Sequence, residues 1–170
     1  MEFRRSWSWL TALALLGGPQ LTAMGAQDEL VGLEAAADAV YLGEILLSRG
    51  VKDDDGVLRT RVVLKVQEPL KGDARTGERV TFVTPGGRVE GEIAAVPGSD
   101  PFQPEEQVLL FLREGDGGRL EILGLYEGRF ALHPNPRTGE PMLIGFELGG
   151  KGLVPSSART LADALRALDG

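Results

Sequence analysis

The stretch QVLLFLR, residues 107–113, places Val108, Leu109, Leu110, Phe111 and Leu112 in unbroken succession. The run has the length of a strand and is apolar at odd and even positions alike. It therefore predicts a central strand covered on both faces. Asp116, Gly117 and Gly118 follow as a hairpin turn, and residues 120–125 supply the returning partner. Upstream, residues 58–68 alternate: Val62, Leu64 and Val66 interleave with Arg61, Val63 and Lys65. A period of two predicts a strand with one packed and one largely wet face.

The neighbouring segments extend this pattern. Residues 39–47, with Val40, Leu42, Ile45 and Leu47, read as the first confident strand. Residues 30–37 form a short helical or extended lead-in. The turn at Asp53, Asp54, Asp55 and Gly56 joins strands one and two into a long hairpin. Pro69 is expected to end that pairing, because proline donates no ladder hydrogen bond. Residues 79–84 and 88–96 read as further strands, the latter bulged at Gly91. Residues 97–106 form a loop with three prolines, whose Phe102 is expected to fold back and plug one end of a barrel or sandwich. Residues 129–132 and 142–144 are short strands, residues 134–140 a loop, and residues 146–154 a glycine-rich connection. The period then changes. Leu161, Leu165 and Leu168 line one helical stripe, predicting an amphipathic helix over about 157–169, N-capped by Ser156 or Ser157 and C-capped by Gly170.

With 24 glycines and 10 prolines spread along 170 residues, the chain reads as many short strands joined by tight turns. The expected fold is all-β: an OB-like, closed or partly open barrel of short antiparallel strands with a C-terminal amphipathic helix, a β-sandwich being the alternative. Closure would remove the exposed strand edges that such a chain otherwise presents.

Residues 1–26 have the three parts of an export signal. Arg4 and Arg5 precede the apolar residues 6–16; Gly17, Gly18 and Pro19 break the run; Ala23, Gly25 and Ala26 offer small residues for cleavage. The run is shorter than the roughly 20 residues that span a bilayer. The arginine pair also raises twin-arginine export. Residues 27–170 remain as one domain, expected outside the cytoplasm, periplasmic or secreted, with no membrane anchor. Trp7 and Trp9 both fall in the signal. A domain of this size buries roughly 68–70% of its unfolded surface and needs no disulfide staples. There are no cysteines, which excludes disulfides, thiolate metal sites and cysteine nucleophiles. The net charge of −7 argues against nucleic acid and anionic membranes as partners.

The order of short motifs adds a resemblance. Ala37-Asp38-Ala39-Val40 leads a strand containing Gly43, and the alternating strand ends in Leu70-Lys71-Gly72. Phe102 precedes Pro104-Glu105-Glu106 and the apolar run, and Gly124-Leu125 precedes Gly128-Arg129-Phe130. This order resembles a loose group of uncharacterised bacterial secreted β proteins. More distantly it is similar to the netrin-like domain, also found in tissue inhibitors of metalloproteinases. The resemblance implies an OB-type barrel. Those inhibitors chelate zinc through an N-terminal cysteine, so neither that mechanism nor their disulfides carry over to this chain.

Chemistry-bearing groups are sparse. His133 is the only histidine, no Gly-x-Ser-x-Gly elbow accompanies it, and its position before Pro134 predicts a surface loop. Asp53, Asp54 and Asp55 do not follow the alternate spacing of an EF-hand and read as a solvated hairpin tip, a weak calcium site being the other reading. Pro85-Gly86-Gly87 reads as a turn, since no Gly-Lys-Ser/Thr follows. Lys71-Gly72 is either a basic ligand contact or a strand end with a positive-φ glycine. Glu105 and Glu106 point apart if extended, unlike facing glycosidase acids. No catalytic, metal or cofactor residue is assigned, and no cofactor is expected. The sequence favours a non-catalytic binding or accessory module with an extracytoplasmic protein or peptide partner. The alternatives are a protease inhibitor or processing partner inserting the loop 97–106, and an enzyme of unrecognised type.

Overall fold

The computed structural model describes residues 21–150 and 152–169, with side chains from residue 29 onward. The elements are α1 (Leu21–Ala36), β1 (Ala39–Lys52), β2 (Leu58–Lys71), β3 (Arg79–Pro85), β4 (Gly87–Val89), β5 (Glu92–Ala94), β6 (Gln107–Glu114), β7 (Leu120–Ile122), β8 (Arg129–Pro134), β9 (Pro141–Gly149), β10 (Gly152–Thr160) and α2 (Leu161–Leu168). Residues 1–20, which carry most of the expected export signal, and Gly170 lie outside the described residues. Helix α1 runs through the small residues expected at the cleavage point.

Strands β1, β2, β3, β7 and β6 close on themselves through the β1–β6 pairing. The chain is therefore an all-β barrel with further strands and a short C-terminal helix. Counting barrel strands alone, the order is 1-2-3-5-4-1, with antiparallel seams except the parallel one between β3 and β7. This is the Greek-key order of an OB-type barrel. Outside it, β8, β9 and β10 continue the sheet from β6.

β6 is the hinge of the architecture. One edge pairs with β1 from Gln107 to Leu112; the other pairs with β8 at Val108–Leu110 and with β7 at Leu112–Glu114. Its side chains divide by parity. Val108, Leu110 and Leu112 enter the barrel with Ile45, Val62, Leu64, Val66 and Phe82. Leu109 and Phe111 face an outer layer with Val40, Leu42, Phe130, Leu143, Leu30 of α1 and Ala164 of α2. The unbroken apolar run thus serves two cores.

Phe102 is the plug that the loop predicts. It is 2% exposed in the barrel core, and its ring meets Phe82 edge to face at 5.5 Å. The Arg129 guanidinium covers the ring at 3.8 Å from its centroid, donates to the Asp100 carbonyl at 2.8 Å, and pairs with Glu106 at 2.9 Å. One buried arginine thereby fastens both halves of the loop.

Several expectations are corrected. β2 continues through Pro69, which faces Tyr41, to Lys71 facing Val40; flanking register shifts, with Leu70 and Gln67 of β2 left without a β1 partner, accommodate a residue with no N–H. The expected strand 88–96 is a separate hairpin, β4–β5. Its turn, Glu90-Gly91, has φ of 49° and 90°, the positive pair that a two-residue type I′ turn needs. The expected connection 146–154 is mostly ladder, belonging to the hairpin β9–β10. α2 starts at Leu161, not 157. Ser156 and Ser157 lie in β10, and Thr160 is the N-cap, accepting from the Asp163 N–H at 3.0 Å. The C-cap is Asp169. The β10 ladder, paired as far as Thr160 with Met142, outcompetes an earlier helix start.

Candidate functional site

The alternation of β2 sorts its side chains between barrel interior and outer surface. Val62, Leu64 and Val66 are fully buried, so Arg61, Val63 and Lys65 face outward. The register brings neighbours to them. Arg49 of β1 stands opposite Arg61, and Arg79 of β3 stands opposite Lys65. Between these two pairs lies the row Leu47, Val63, Thr81, with Leu47 44% exposed. No ion pair among the described residues engages Arg49, Arg61, Lys65 or Arg79. Like charges directly opposite on a sheet destabilise it. An acidic protein has here gathered four cations on one face of its barrel, with Glu44 of β1 opposite Lys65 and its carboxylate accepting from the Gln107 side chain at 3.3 Å.

This face ends in two adjoining recesses of about 480 Å³ each. Both are lined by Val51, Asp53, Arg61 and Arg119; one adds the β1–β2 tip, Asp54 and Asp55, and the other adds Thr81, Val83, Gly118 and Leu120. The β1–β2 and β6–β7 turns meet over the outer side of β2 and β3, where OB-type barrels hold ligands.

Two of the three aspartates at the acidic tip are engaged by arginines. Asp53 accepts from Arg59 and, at 2.6 Å, from Arg119, tying the two turns together. Asp55 accepts from the Val57 N–H at 3.0 Å, and this bond, with Arg59 close by, holds its carboxyl below the ordinary carboxylate range. Partial burial pulls the Arg59 guanidinium down, but hydrogen bonding to Asp55 and the charges of both aspartates outweigh it and leave its pKa raised. Asp53 and Asp55 are thus directed at arginines and at their own turn, while Asp54 is exposed and lines the recess with Arg61. No cluster of three or more metal-ligating side chains occurs among the described residues.

The other singled-out residues lie apart from this face. His133 is exposed on β8 opposite Met142, on a strand and not in a loop, and lines neither recess. Glu106 serves Arg129, and Glu105 sits at a φ of 69° in the turn before β6. Lys71 donates to the Glu34 carbonyl at 2.8 Å, capping the last turn of α1, and Gly72 has a φ of 104°. Both belong to the strand end. Gly86 and Gly87 turn the chain at positive φ, and the buried Thr60 hydroxyl donates to the Gly86 carbonyl at 3.0 Å.

Sequence reasoning noted Arg61 and Lys65 only as the wet positions of an alternating strand. The signal that could have singled them out was the cationic identity of alternate positions within a chain of net charge −7. Arg49 and Arg79 join them only through register. No family model matches the chain, and no match was found among curated proteins or solved structures. No helix among the described residues is long and apolar enough to cross a membrane.

Proposed function

We propose that this chain is an exported, non-catalytic binding or accessory module whose protein or peptide partner seats on the outer face of β1, β2 and β3. The observation that carries the reading is the set Arg49, Arg61, Lys65 and Arg79, four cations on one face that outnumber its acidic neighbour Glu44, which stands opposite Lys65. Export rests on the tripartite pattern of residues 1–26. Kinship with netrin-like domains is part of the same proposal and rests on the motif order of residues 37–132. The loop 97–106 supports an inhibitor reading less well, because its apolar side chain is spent on the core and its ends are fastened by Arg129.

Two measurements test the reading. N-terminal sequencing of the exported product should begin at Ala26 or Gln27; an intact Met1 on a correctly localised product would remove the export signal. A tagged chain should retain one saturable partner from the extracytoplasmic proteins of its source, and Arg61→Glu with Lys65→Glu should release it. A folded bait that retains nothing refutes the binding reading.

A further inference from the structure

We propose that the outer face of β1–β2–β3 seats an extended acidic segment of the partner protein, with two acidic side chains four residues apart and an aliphatic side chain midway between them. This rests on the binding-module reading above and names the partner's chemistry.

The geometry sets the pattern. Arg49 and Arg61 are direct cross-strand neighbours, as are Lys65 and Arg79. Such neighbours have Cβ atoms about 4.5–5.5 Å apart, close enough for one carboxylate to lie between two cationic heads. The two cation pairs are offset along β2 by the step from Arg61 to Lys65. At roughly 3.3 Å per residue that step is about 13 Å. An extended polypeptide has the same rise and the same period of two, so its residues i, i+2 and i+4 fall on one side at the same spacing. Acids at i and i+4 then reach the two cation pairs. The residue at i+2 falls on the row Leu47, Val63, Thr81, whose first two members are apolar and whose Leu47 is well exposed.

The composition of the face selects among polyanions. Its outward residues include no aromatic ring. Single-stranded nucleic acid gains much of its affinity by stacking bases on aromatic side chains, and that contribution is missing here. The apolar centre of the face likewise has no use in binding a ligand that is anionic throughout. Both β2 edges are already paired, so the segment is held by side chains and not by adding a strand.

The test is fluorescence anisotropy of the full chain with a short labelled peptide centred on Glu-Thr-Val-Thr-Glu. The proposal expects saturable binding that weakens with added salt. It also expects binding at least about tenfold weaker when both glutamates become glutamine, when the acids are moved three residues apart so that they face opposite sides, or when the protein carries Arg61→Ala with Lys65→Ala. Arg137→Ala and Arg166→Ala, elsewhere on the surface, should leave binding unchanged, and circular dichroism melting should show the double variant folded. Equal binding of the glutamine or shifted peptide overturns the proposal. So does binding of an oligonucleotide, a sulfated polysaccharide, phosphatidylserine vesicles or a second copy of the chain in place of the peptide. If the peptide fails but a captured partner still depends on Arg61 and Lys65, the segment pattern is wrong and the binding module stands. If no partner exists for the folded chain, the broader reading falls with it.

Discussion

Replacing Phe102 with alanine tests whether the loop 97–106 belongs to the barrel core. The ring is 2% exposed, so nearly all of it leaves a packed site. Phe→Ala changes in cores cost about 3–5 kcal/mol. Two contacts place this site in the upper part of that range. The edge-to-face contact with Phe82 contributes about 0.5–1.5 kcal/mol beyond area burial. The Arg129 cation over the ring, in a largely desolvated position, adds up to about 2 kcal/mol. Collapse of the loop into the gap would lower the cost, but Arg129 pins it at Asp100 and Glu106. The expected loss is about 4 kcal/mol. For a domain of this size, about 2–4 °C per kcal/mol makes this a fall of about 8–16 °C in Tm. Urea denaturation followed by far-ultraviolet circular dichroism measures it. A loss below about 1 kcal/mol, the scale of an average substitution, would refute the plug and free the loop for an inhibitory role.

Further outcomes follow from single contacts. Gly43→Ala places a Cβ against the Lys65 carbonyl inside the β1–β2 ladder; with backbone as the obstacle, urea unfolding should show a loss of about 1–3 kcal/mol. Asp163 in α2 is held below its ordinary 3.8 by its hydrogen bond with Thr160 and by Arg166. A lowered folded-state value means that its contribution is present above 3.8 and is lost as the pH falls through that lower value. The stability gap between the parent and Asp163→Asn should therefore be open near neutrality and close in acid, and a gap independent of pH would refute the assignment. Arg61→Gln relieves a like-charge neighbour and should raise stability by about 0.2–1 kcal/mol at low salt, with the gain fading as salt is added; a loss in urea unfolding would mean Arg61 has a counter-charge.

The barrel was legible because its signals are local. The run 107–113 and the alternation of residues 58–68 each specify what covers a strand, and together they require a two-layered β body. Pro69 and Ser156 misled for one physical reason. A proline and an N-capping serine state local preferences worth about a kilocalorie or a few, whereas a ladder already in register offers many bonds at once. The β1–β2 register shifts beside Pro69 and the β10 pairing through Thr160 are tertiary arrangements, and local sequence does not encode them.

The cationic face was hidden for a deeper reason. The net charge of −7 is a sum over the whole chain, and a partner meets only one face of it. Arg49, Arg61, Lys65 and Arg79 come from three strands, and only the pairings of Arg49 with Arg61 and of Lys65 with Arg79 bring them together. A sum over the whole chain says nothing of how the charge is divided among its faces. At physiological salt the screening length is about 8 Å. That is shorter than the roughly 13 Å between the two cation pairs, so each pair acts almost alone on whatever approaches it. A protein acidic overall can therefore hold an acidic ligand where cations outnumber its own carboxylates: Asp53 at the adjoining tip is already held by arginines, and Glu44, opposite Lys65, accepts from Gln107.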